Sequence, residues 1–151
     1  MLAIEWREET LIPTHIEVLW NVFQDDNIAD LMPRVETHEL IEGRPDSEGA
    51  RHRQIMKNGR RTSSHVVETI RYVDEPSFKE KEISFQLHDA YQIRLRFTLK
   101  KLNENETHLV YEGEHRAVNF VAKVKHKLNA RQTEHHMVRR FVQRIREEAG
   151  A

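Results

Sequence analysis

The chain contains no cysteine among its 151 residues. That excludes disulfides, thiol nucleophiles and thiolate metal sites, and it fits a reducing compartment. It also lacks an excess of either charge, since 24 Lys and Arg against 25 Asp and Glu give a formal net charge of -1. The basic footprint of a nucleic-acid binder is missing, and no nucleic-acid partner is expected. No stretch approaches the roughly 18 apolar residues a membrane span requires. The opening segment "MLAIEWREETLI" carries Glu5, Arg7, Glu8 and Glu9 in place of the apolar region of a secretory signal. A cytoplasmic location is the expectation. No internal repeat or low-complexity linker divides the sequence, and its length suits one domain spanning residues 1–151.

Periodicity supplies the organisation. Leu2, Ile4 and Trp6 alternate in a first strand. Thr14 with Glu17 forms a capping-box pattern ahead of a helix whose Ile16, Leu19, Trp20 and Phe23 share one face. Asp25 or Asp26 is placed to cap a second short helix containing Ile28, Leu31 and Met32, which Pro33 ends. From Val35 onward, turn chemistry breaks the chain into about six strands, and Asn58-Gly59 predicts a type I′ hairpin. Short connections throughout imply an antiparallel meander.

Strand faces are legible in part. Tyr91, Ile93, Leu95, Phe97 and Leu99 alternate with Gln92, Arg94, Arg96, Thr98 and Lys100, which predicts a sheet with one buried face. Leu109, Tyr111 and His115 fall in phase with one another. The strands over 50–57 and 61–72 keep an open phase, so His52, His65 and Glu68 reach the interior in only one of two alternatives. After Ala117 the period becomes helical. Val121, Val124, Leu128, Arg131, His135, Val138, Val142 and Ile145 form one stripe along a long helix, interrupted by two polar residues.

This order resembles the START-like, or Bet v 1-like, helix-grip superfamily, in the bacterial branch labelled polyketide cyclase/dehydrase-like or SRPBCC. The stretches that carry the resemblance are "IPTHIEVLWNVFQD", "LMPRVETHELIEG", "IRYVDEP" and "VRRFVQRIREE", and together they span nearly the whole chain. The resemblance implies an α+β fold in which a curved antiparallel sheet, two short helices and a long C-terminal helix enclose a cavity. It implies no shared catalytic signature, because the superfamily hosts carriers, receptors and cyclases alike.

The stripe residues then acquire meaning. His135 and His136 lie about 100° apart around a helix, so only His135 points inward, one turn from Arg131. On one reading, Arg131 and His135 orient the polar end of a ligand in an apolar pocket. On the other, Arg131 reaches the cavity mouth and His135 bonds a backbone carbonyl or water. Tyr91, Ile93, Phe97, Tyr111, His115 and Leu128 would line the wall. His115 beside Tyr111 also suits acid–base work, although half-buried strand histidines and tyrosines are common without it. No HExxH motif occurs, the ten histidines are scattered as a surface set would be, and no metal or cofactor is implied.

The outer side of the last helix carries Lys123, Lys125, Lys127, Arg139, Arg140, Arg144 and Arg146. That side is either a solvated face or a weak contact for anionic membrane or an acidic partner. The expected function is uptake of a small hydrophobic or amphipathic ligand that is lipid-like, polyketide-like or aromatic. Two alternatives stand beside it: a cyclase or dehydratase on such a substrate, with His115 or His135 as base and Arg131 stabilising an enolate, and an interaction domain with a vestigial cavity.

Overall fold

A computed structural model of the chain describes residues 3–87, 90–119 and 137–151. Seven strands form one curved antiparallel sheet: β1 (Ala3–Ile12), β2 (Val35–Glu42), β3 (Arg51–Asn58), β4 (Arg61–Asp74), β5 (Phe78–Leu87), β6 (Tyr91–Asn103) and β7 (Glu106–Ala117). Their order is β1-β7-β6-β5-β4-β3-β2, so the meander runs from β2 to β7 and the first strand closes onto the last. Two short helices, α1 (Ile16–Asn21) and α2 (Ile28–Leu31), link β1 to β2. A C-terminal helix, α3, is described over 137–148.

The capping residues differ from the expected ones. His15, not Thr14, caps α1, its Nδ1 accepting the Glu17 amide N–H at 3.1 Å, while the Thr14 carbonyl accepts from Thr107 Oγ1. Asn27 precedes α2 without a side-chain cap, because Asp25 is committed elsewhere. The β3–β4 hairpin also shifts by one residue. Asn58 pairs with Arg61, leaving Gly59 and Arg60 as the loop, with Gly59 at φ 66. Glycine in the first loop position is the type II′ arrangement rather than type I′.

Paired residues share a face of the sheet, and Phe97 and Leu99, fully buried, mark the concave one. Opposite them stand Lys81 and Lys79 on β5 and Tyr111 and Leu109 on β7. The same phase carries His52, Gln54 and Met56 of β3 inward against Val67, His65 and Ser63 of β4. This settles the two strands whose phase was open and turns Glu68 outward, opposite Ser84. A register shift between Thr69 and Arg71 leaves Ile70 extra and exposed, so the inward set resumes at Tyr72.

One end of the concave face is filled. Ile16, Leu19, Trp20 and Phe23 from the α1 region lie in the same cluster as Phe97, Leu99, Leu109 and Tyr111. Phe23 stacks on Phe97 at 4.5 Å and Phe97 on Tyr111 at 5.3 Å, and Phe141 of α3 completes the column 4.9 Å from Tyr111. Val138 and Ile145 are buried with them, as the helical stripe predicts. Arg144 and Arg146, expected on the outer basic side, instead donate to the carbonyls of Asp30 and Leu11 and fasten α3 to α2 and β1.

Candidate functional site on the concave face

Packing tightness falls along the strands. Phe97, Leu99 and Leu109 are fully buried, whereas Leu87, Tyr91, Ile93 and His115 also point inward yet are only partly buried. These four meet across the sheet, Leu87 opposite Tyr91 and Ile93 opposite His115, with the Tyr91 and His115 rings 4.5 Å apart. Of the expected wall residues, Tyr91, Ile93 and His115 therefore gather at the end that the described residues pack less tightly. Phe97 and Tyr111 belong to the filled aromatic column, where burial pushes the Tyr111 phenol pKa upward. Leu128, Arg131 and His135, with His136, lie outside the described residues.

Beside this apolar wall, β2 to β4 supply a polar one. His38, Gln54 and His65 form a cross-strand row in which Gln54 contacts His38 Nδ1 through Oε1 and His65 Nε2 through Nε2, both at 3.0 Å. The His38 ring stacks on His52 at 4.2 Å, and His65 stacks on Phe85 at 4.9 Å. Burial holds the His38 imidazole down, to about 4, and neighbouring His52 adds to the effect. Burial lowers His52 as well, against the opposing pull of Asp25.

Beneath the row lies a buried ion pair. Lys81 donates to Asp25 Oδ1 at 2.7 Å and to the Phe23 carbonyl at 2.6 Å. Asp25 Oδ2 accepts the Asp46 amide at 2.7 Å and stands 3.4 Å from His52 Nε2. In return Asp46, at φ 53, accepts the Asp25 amide N–H, docking the β2–β3 connection onto the end of α1. Burial of Asp25 favours its neutral form, but the Lys81 charge and the donated hydrogen bonds outweigh it and lower its pKa.

The sequence reading treated the histidines as a scattered surface set and implied no metal site. Folding instead gathers three of them on the concave face, and the ligating atoms of Asp25, His38 and His52 lie within 4.8 Å of one another. Two features oppose a shared cation in this arrangement. The His38 and His52 planes are only 9° apart, and the in-plane lone pairs of stacked rings do not converge on one point. The Lys81 ammonium already neutralises the carboxylate. The cluster reads better as hydrogen-bonding machinery. Periodicity missed it because "RHRQIMK" has no apolar alternation; the available signal was the polar phase itself, His52 and Gln54 two residues apart.

A recess of about 450 Å³ also opens on the convex side, among Arg7, Arg94 and Arg96 and the acids Glu82, Glu112 and Glu114. Its walls are cross-linked by ion pairs, including Arg96 to Glu112 at 2.9 Å and Arg94 to Glu82 at 3.2 Å, so its lining is mostly charged, with Trp6 and Leu95 the large apolar contributors.

With this geometry in place, solved structures supply the comparison. Ara h 8.0201 superposes with a TM-score of 0.66 at 14% identity, over 97% of each chain. The chain has the Bet v 1-like helix-grip fold. Norcoclaurine synthase from Thalictrum flavum, in complex with dopamine and hydroxybenzaldehyde, superposes at TM-score 0.64 and 14% identity over 96% of this chain and 85% of that one. The Zhui aromatase/cyclase from Streptomyces sp. R1128 does so at 0.66 and 12%, over 97% and 91%. No family model matches the sequence. No curated protein matches it either. Among the described residues, no helix is long and apolar enough to cross a membrane.

Proposed function

We propose that the protein binds a small amphipathic ligand over the less tightly packed end of the concave face. The observation that carries this reading is the contrast between inward-facing residues that are sealed, such as Phe97 and Leu99, and inward-facing residues that are only partly buried, such as Leu87, Tyr91 and Ile93. Side chains directed at a core yet partly reachable by solvent mark space that the described residues do not fill. The ligand's apolar body lies on Leu87, Tyr91 and Ile93, and its polar end reaches His38 and His65. Helix-grip proteins that hold aromatic molecules, as in the dopamine and hydroxybenzaldehyde complex, support the same use of the fold.

The test is binding of a matched series of naphthalene-type probes, followed by fluorescence and by thermal stabilisation. Saturable binding that weakens when Ile93 is changed to Asp, in a variant that keeps its wild-type circular dichroism, supports the reading. Absence of binding by every probe counts against it.

A further inference from the structure

The Asp25 carboxylate serves two sides of the molecule at once. Toward the concave face, its Oδ1 accepts from Lys81 at 2.7 Å, and both residues are buried. Toward the surface, its Oδ2 accepts the Asp46 amide N–H at 2.7 Å, while Asp46 Oδ1 accepts the Asp25 amide N–H at 2.8 Å. Asp46 lies midway along the connection between β2 and β3. One buried side chain therefore joins a lysine on β5 to a surface loop.

The neck of that connection is pinned independently of Asp25. Gly49 N–H donates to the Thr69 carbonyl at 2.8 Å and Thr69 N–H to the Ala50 carbonyl at 2.9 Å. Gly43 packs so closely on Ala50 that an added Cβ would fall 3.1 Å from the Ala50 Cα. Gly43 and Gly49 have φ values of 81 and 85, in the region glycine enters freely, and so suit a hinge. Between them, the Ser47 hydroxyl donates to the Arg44 carbonyl and the Ala50 amide to the Ser47 carbonyl, bonds internal to the loop. Among the described residues, its outward ties are the Asp25 pair and a long bond from Tyr72 N–H to Glu48 Oε1 at 3.4 Å. Asp46 itself stands at φ 53, a conformation that a side chain occupies at a cost, which the two hydrogen bonds to Asp25 offset.

We propose that the β2–β3 connection is a latch whose closed state depends on the Lys81–Asp25 pair, so that withdrawing the ammonium on the concave side releases residues 44–48 at the surface. Without Lys81, the buried carboxylate loses its counter-charge and either takes up a proton or turns toward water. A neutral carboxyl accepts a weaker hydrogen bond than a carboxylate, and a carboxylate turned outward leaves the Asp46 amide altogether. Both routes open the joint. The pinned neck confines the movement to the loop, and the same linkage runs inward, from the loop to Lys81.

The experiment changes one end of the joint and reads the other, by NMR measurement of proton exchange on the full chain. In Lys81→Met, the Asp46 amide should exchange about ten-fold or more faster than in wild type, while the Gly49 and Thr69 amides at the neck and the amides of β6 keep their wild-type rates. Adding Asp25→Asn leaves an oxygen for the Asp46 amide but no stranded charge. It should return much of the protection, a recovery that lost packing at position 81 does not produce. Asp46→Gly alters only the surface side and keeps the backbone conformation accessible. It should speed exchange of the Lys81 ammonium protons, and it decides the matter alone if Lys81→Met does not fold. An unchanged Asp46 amide in Lys81→Met, an acceleration shared by the neck and β6, no recovery on adding Asp25→Asn, or unchanged Lys81 ammonium protons in Asp46→Gly overturns the latch.

Discussion

Lys81 and Asp25, 56 positions apart in sequence, meet at 2.7 Å with side chains only 2% and 4% exposed. An ion pair this deep is weak evidence of net stabilisation, because desolvation of both charges offsets most of their attraction, but removing one partner strands the other. Asp25→Ala should therefore destabilise the protein by about 3–5 kcal/mol. Lys81→Met alone should also be costly, and combining it with Asp25→Ala should cost less than the sum of the two single losses. Urea unfolding of the two single variants and the double variant measures both, and additive losses in the double variant would show that the pair is not coupled.

Acid should act through the same region. His38 is held to about 4 in the fold against an ordinary value of 6.5. Its contribution to stability is complete above 6.5 and declines as pH falls through that window, because the unfolded chain takes up a proton that the fold resists. His52, also lowered, acts in the same direction. Asp25, lowered from 3.8, keeps its contribution above that value and loses it only at more acid pH. Stability should drop by roughly 2 kcal/mol between neutral pH and the acid edge of the window, after discounting for partial solvent access. Replacing His38 with Phe should flatten the drop, and histidine NMR titration reads the same group directly.

Trp6 crosses the sheet to cover Gly113, its opposite number on β7. A methyl group at Gly113 would fall 2.0 Å from Trp6 Cζ2, so the ring must move to admit one. Gly113→Ala should cost about 1–3 kcal/mol by overpacking. Trp6→Leu in the same chain should relieve part of that cost, and thermal melts of the three variants test the pairing.

The order of elements and the single buried face of β6 were legible because hydrophobic alternation and helical spacing report burial directly. Val138 and Ile145 followed for the same reason. What escaped was chemistry without apolar rhythm. His52 and Gln54 face inward because β3 is registered against β4, and register is a property of the pairing rather than of either strand. Adjacent Val66 and Val67 obscured the phase of β4, and the displaced Ile70 reset it part-way along. Asp25 looked like a helix cap, and only the return of Lys81 on β5 gives it a partner. A turn assigned one residue early, at Asn58-Gly59, shows the same limit, since two dipeptides containing the same glycine suit different hairpins.

Phe141 offers the last test, because it joins the helix to the sheet through rings rather than backbone. It lies 4.9 Å from Tyr111 and 5.9 Å from Phe97, while the nearby fastenings, Arg144 to Asp30 and Arg146 to Leu11, are hydrogen bonds at partly exposed sites. Aromatic truncation removes both area and ring contacts. Phe141→Ala should cost about 2–4 kcal/mol, with Phe141→Leu costing less. Amide exchange should distinguish local release of the helix from global loss. Faster exchange confined to 137–148 means that this ring column holds the helix down, whereas uniform acceleration across β6 and β7 means that the column is part of the global core.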